Sequence, residues 1–104
     1  MAIKQIIWKH TARAKYLRTT RWYFDNMGLK AADSFMRGIA ENVERISRQS
    51  AIGKREPLLV GHPEDFRSLV VHRHTKIIYY CDTQNVYIVD LWDCRQNPAK
   101  LKIT

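Results

Sequence analysis

Three short runs concentrate the side chains able to act on a charged substrate: GKREP at 53–57, HPEDFR at 62–67 and HRH at 72–74. Lys54, Arg55, Arg67 and Arg73 can hold an anion, while His62, His72 and His74 can move a proton near neutral pH. Such an inventory suits acid–base work on a phosphate ester, which needs a base, an acid and a cation on the phosphate. Strand geometry limits it. On one continuous strand Arg67 and Arg73 share a face about 20 Å apart, too far to grip a single phosphate, and His72 points the other way. His72 and His74 would stand about 7 Å apart on one face, but they fall where the chain is expected to turn. Solvated surface charge is the expectation for these histidines and for Lys54 and Arg55 in their glycine-flanked loop. Arg67, close to Glu64 and Asp65, is expected to form an exposed ion pair worth less than about 1 kcal/mol. Arg67, Lys54, Arg55 and His74 are the set to inspect only if the chain cleaves a phosphate ester.

A second feature is WDCRQNP, residues 92–98, where an apolar strand runs into polar residues. If DTQN (82–85) closes a hairpin, Trp92 falls opposite Lys76 and Arg95 beside the Arg73–His74 turn, making a small basic cluster at the end of the sheet. Asp93 is expected to hold Arg95 through a bidentate pair, and Pro98 stops further pairing. Arg95, Gln96 and Asn97 are then exposed and available for contact. Apart from Asp93 this segment lacks a group suited to proton transfer at neutral pH, and Tyr87 is expected to pack. Cys81 and Cys94 have neither a CxxC nor a metal-site spacing. At strand rise they lie on the order of 20 Å apart, so no disulfide is expected, and no metal or cofactor is indicated.

These groups need a frame. AIKQIIW (2–8) reads as a strand rich in β-branched and aromatic residues. Thr11 is a candidate N-cap for a helix over 12–27, whose Ala12, Tyr16, Thr20, Tyr23 and Met27 line one face, widened by Trp22 and Phe24. Gly28 ends it in a left-handed conformation. A second helix, 30–49, carries Ala32, Phe35, Met36, Ile39, Val43 and Ile46 on one side. Its opposite side sets Asp33 before Arg37, Glu41 before Arg45 and Glu44 before Arg48, each four residues apart. A link of two or three residues makes the helices antiparallel. Residues 50–66 are a turn-rich connector. Residues 67–81 are too long for one strand and break near His72–Thr75, and NVYIVDLW is the last strand. The result is an α+β fold, β-α-α-β-β-β, with a helical hairpin packed on a small, mainly antiparallel sheet. KIIYYC is apolar on both faces, so something must also cover part of the other side of the sheet.

The 104 residues fit one domain, 1–104, with 45% apolar and 27% charged residues. No apolar run suits a membrane span and the start lacks a signal-peptide cleavage region, so a soluble cytoplasmic protein without membrane partners is expected. The net charge is +8, and residues 1–30 set seven bases against Asp25 alone. Arg13, Lys15, Arg18 and Arg21 give the first helix a positive field, answered by Asp25 alone, that favours an acidic partner.

The element order, together with HPEDFRSLVV, KIIYY and VYIVDLWDCRQNP, resembles the RelE/ParE superfamily of toxins from type II toxin–antitoxin systems over nearly the whole chain. The RQNP ending is most similar to the ParE-like, plasmid-stabilisation branch. This resemblance implies a toxin inactivated by a cognate acidic antitoxin. For ParE-type members it implies DNA gyrase as target, inhibited by binding without chemistry. For RelE-type members it implies ribosome-dependent cleavage of mRNA, an mRNA interferase activity for which Arg67 resembles a phosphate-stabilising arginine. A third alternative is an inactive interaction module. The antitoxin is expected to lay an amphipathic helix or strand over the basic surface, meeting Arg13, Lys15, Arg18, Arg21, Arg73 and the Arg95–Asn97 patch.

Overall fold

A computed structural model describes residues 3–103; Ala2, the first residue of the expected opening strand, lies outside them. β1 (Gln5–Trp8) leads into α1 (His10–Met27) and α2 (Leu29–Arg48). Lys9, not Thr11, occupies the N-cap of α1. The cause is β1: the Lys9 N–H donates to the Ile88 carbonyl at 2.9 Å, which keeps Lys9 extended as a continuation of the strand. The helix then starts immediately, with Thr11 inside its first turn. Gly28 alone joins the helices, a shorter link than expected. Its φ of 91° and ψ of 178° lie in a region open essentially to glycine only.

α2 buries Ala32, Phe35, Ile39 and Ile46, as its periodicity requires. Asp33–Arg37 and Glu44–Arg48 form the expected pairs, but Arg45 turns from Glu41 to the Asn42 side chain at 2.9 Å. The face of α1 is narrower than its sequence suggests. Ala12 is enclosed and Tyr16 and Tyr23 are half-buried, whereas Trp22, Phe24 and Met27 stay more than half exposed.

The connector contains an unexpected two-residue strand, β2 (Lys54–Arg55), paired with β3 (Arg67–His72). β4 (Thr75–Cys81) and β5 (Asn85–Asp93) complete a five-stranded sheet in the order β1-β5-β4-β3-β2, with β1 parallel to β5 and the other pairings antiparallel. The break between β3 and β4 falls at Arg73–His74, where Arg73 takes a φ of 41° in place of the missing glycine. Lys76 faces Trp92 across the β4–β5 ladder, the expected register. A bulge leaves Val89 without a cross-strand partner, between Tyr79–Ile88 and Ile78–Asp90. It shifts the alternation, so Ile88 and Leu91 both reach the core beneath the helices. Ile78, Val89 and Trp92 form a second cluster on the other face with Leu59 and Phe66 of the connector, and Leu101 and Ile103 pack on it. The connector and the C-terminal residues are thus the second cover that KIIYYC called for. Cys81 and Cys94 are free thiols.

Candidate partner-binding site

β1 lies beside only the first half of β5, from Asn85 to Ile88. Past that point α1 runs along the uncovered edge. Lys15 reaches over it to the Asp90 carboxylate at 2.7 Å, with its ammonium 5.6 Å from the centre of the Trp92 ring. Asp90 is 1% exposed. Burial raises its carboxyl above the usual range and outweighs the opposing pull of Lys15. This buried pair pins α1 to the bulged part of β5.

Beyond the pin, the second half of α1 and the end of β5 enclose an open cavity of about 750 Å³. Lys15, Arg18, Arg21, Trp22 and Tyr23 line it from α1, and His74, Thr75, Arg95 and Gln96 from the strand ends. The main chain sets the second wall: the Cys94 N–H donates to the His74 carbonyl at 2.7 Å, which brings Arg95 beside the β3–β4 turn as the register required. Arg95 makes the expected bidentate pair with Asp93, through Nη2 at 2.8 Å and Nε at 3.1 Å, and its backbone N–H also donates to Asp93 at 2.9 Å. The Arg95 hydrogen bond holds Asp93 below the usual carboxylate range despite partial burial. Arg21 is similarly matched by Asp25 at 3.0 Å. Arg18 is exposed and has no carboxylate partner among the described residues.

The cavity therefore gathers Lys15, Arg18, Arg21, His74, Arg95 and Gln96. The remaining candidates lie elsewhere. Arg13 flanks a smaller, mostly apolar groove of about 300 Å³ between the helices, beside Trp8, Tyr16, Leu17 and Ile39. Arg73 is exposed at the turn, and Asn97 uses its side chain to accept from the Ala99 N–H at 3.0 Å.

The four catalytic candidates are split between opposite ends of the sheet. Lys54 and Arg55 are exposed on β2, and Arg55 pairs with Asp65 at 3.0 Å. Arg67 donates to the Gly53 carbonyl at 2.8 Å and stands 3.8 Å from Asp65. His74 is beyond the far end of β4: Arg67 pairs with Tyr79, four residues from Thr75, about 13 Å along the strand.

Sequence reasoning overlooked two charged groups on the sheet's second face. Glu56, 2% exposed, receives Lys76 Nζ and, at 3.0 Å, the Leu58 N–H. Burial pushes its carboxyl up, but the Lys76 hydrogen bond and charge and the Leu58 N–H outweigh that and hold it below the usual range. The available signal was the alternation of KIIYY, which sets Lys76 on the same face as buried Ile78. Asp90 had a signal too, as an acid inside the apolar run VYIVDLW. Tyr87 is half-buried, and its hydroxyl donates to Asp82 at 2.7 Å. Its ring stacks on Tyr80 at 4.8 Å beneath the Lys9 ammonium.

Residues 6–98 match the family described as ParE toxin of type II toxin-antitoxin system, parDE. Among solved structures, a chain of the chromosomal ParDE TA system from P. aeruginosa superposes with a TM-score of 0.68 at 18% identity, over 86% of this chain and 94% of that one. The YoeB dimer from Staphylococcus aureus gives 0.60 at 21% identity, again over 86% and 94%. At these identities the likeness is one of fold. No curated protein matches the sequence.

Proposed function

The chain belongs to the ParE toxin family and is a toxin of a type II toxin–antitoxin system, and we propose that it acts in the cytoplasm by binding DNA gyrase, without chemistry of its own, until a cognate acidic antitoxin covers it. The observation that carries this reading is the dispersal of the catalytic candidates. Lys54, Arg55 and Arg67 stand at one end of the sheet, where Arg55 and Arg67 are occupied by Asp65 and the Gly53 carbonyl, and His74 stands at the other. A phosphate held at either end lacks the partner groups at the other. Binding asks only for a surface, and the cationic cavity between α1 and β5 supplies one. Arg95 and Gln96 contribute to it, with Asn97 and Arg73 exposed nearby. The antitoxin is read as covering this surface and Arg13. Among the described residues no helix is long and apolar enough to cross a membrane.

A bacterial host expressing the chain alone, with a reporter of DNA damage, tests the reading. Growth arrest with reporter induction is expected, because trapped gyrase leaves broken DNA. Arrest with a silent reporter and loss of polysomal message would contradict it. That opposite result would support the second reading, a ribosome-dependent mRNA endonuclease. One observation favours this alternative: Arg55 and Arg67 are register partners across the β2–β3 ladder, two cations able to share one phosphate. Under it, Arg67→Ala abolishes message cleavage.

A further inference from the structure

We infer that the cavity between α1 and the end of β5 is a carboxylate-recognition site, built to seat one acidic side chain and a neighbouring apolar side chain of an acidic peptide partner. The inference deepens the toxin–antitoxin reading and rests on it for the partner's identity, a segment of the antitoxin. The ligand chemistry follows from the charges. Four cations line or reach the cavity, and three are matched: Lys15 by Asp90, Arg21 by Asp25 and Arg95 by Asp93. Arg18 is left, with the Gln96 amide and the Thr75 hydroxyl across the cavity as neutral donors. One unmatched guanidinium answers one carboxylate. A nucleic-acid strand, with a charge on every phosphate, would instead meet the Asp25 and Asp93 carboxylates in the walls.

The apolar half comes from Trp22. It is 55% exposed and stands edge-on to Tyr23 at 5.3 Å, and Tyr23 is fixed in turn by stacking on Phe35 at 5.2 Å. A large ring held over a rigid second ring is a shelf for an aliphatic or aromatic side chain. Arg18 and Trp22 are four residues apart on α1, so they present one face. The partner must therefore place its acid and its apolar residue on one side of the segment that enters.

The test uses the purified full chain and three labelled probes followed by anisotropy: a peptide with glutamate and leucine two residues apart, on one face of an extended segment, its glutamine counterpart, and a single-stranded DNA of similar length. The glutamate peptide is expected to bind most tightly. Arg18→Glu should weaken it by about tenfold or more, and Trp22→Ala should weaken it severalfold. Arg45→Glu makes the same charge change on α2, outside the cavity, and should cost no more than about twofold. Both charge variants lie at exposed helix positions, and circular dichroism verifies that they fold. Equal losses from Arg18→Glu and Arg45→Glu, tighter binding of the DNA, or no preference for glutamate over glutamine would each overturn the inference. Growth arrest by the wild-type chain, assayed separately, reports on the toxin reading. If arrest occurs but the peptide pattern fails, the site is wrong and the toxin reading stands. If arrest is absent but the pattern holds, the carboxylate site stands and the toxin reading fails.

Discussion

Gly53→Ala is expected to be among the most damaging single-atom additions to the fold. Gly53 sits under the side chain of Tyr79, which is fully enclosed. The Gly53 N–H donates to the Tyr79 hydroxyl at 2.9 Å, and that hydroxyl donates to the Ser50 carbonyl at 2.8 Å. A β-carbon at position 53 would come within 2.6 Å of the hydroxyl oxygen, 2.8 Å of the Ser68 carbonyl and 2.9 Å of a Tyr79 ring carbon. None of these is the tip of a flexible side chain, since Ser68 lies in the β2–β3 ladder and the ring lies in the core. Relief requires β2 to part from β3 or Tyr79 to shift, breaking both hydrogen bonds. Two lost bonds cost about 1 kcal/mol each, and overpacking adds about 1–3 kcal/mol, for a total of about 3–5 kcal/mol. For an m-value of about 1.5 kcal/mol/M, the urea midpoint falls by about 2–3 M. Tyr79→Phe, which deletes the closest atom, should cost less alone and should soften Gly53→Ala in the double variant. A Gly53→Ala midpoint within about 0.5 M of wild type would refute the reasoning, as would strict additivity in the double variant.

Two histidine- and carboxylate-linked phases are expected in stability against pH. His72, packed edge-on to Tyr23 and Phe35, is held below its ordinary value of 6.5 by burial and then by Arg73. Its contribution is complete above 6.5 and is lost as pH falls towards the folded value; urea titrations should show that fall and its absence in His72→Gln. Asp82, bonded by the Tyr87 hydroxyl and the Gln84 and Asn85 N–H groups, is lowered from 3.8 to about 2, so a second loss should run through that interval and disappear in Asp82→Asn. For antitoxin association, stopped-flow rates should drop by about tenfold or more between low and high salt. Neutralising Arg13 or Arg18 should slow association more than neutralising Arg21, which Asp25 already answers; a salt-independent rate would contradict steering.

The elements that could be read were those with a repeating cause. α2 announces itself by its apolar period and its acid–base pairs, and DTQN fixes the register that puts Lys76 opposite Trp92. What escaped has no period. β2 is two residues long, and the Val89 bulge inserts one residue with no compositional mark. The early start of α1 depends on a hydrogen bond from Lys9 to Ile88, nearly eighty positions away. The same limit applies to the candidate site. Strand register could bring Arg95 to the Arg73–His74 turn, but no local pattern says that α1 lies against the bare half of β5. The meeting of Arg18 and Trp22 with Arg95 is therefore visible only in three dimensions. Glu56 and Lys76, twenty positions apart, meet for the same reason.

One preparation of purified toxin, divided between two reactions, tests the central claim most directly. One reaction holds DNA gyrase with supercoiled plasmid, and the other holds ribosomes engaged on a message. The account predicts that cleaved plasmid accumulates with toxin concentration while the message stays whole. Intact supercoiling at high toxin excess, together with cut message, would contradict it.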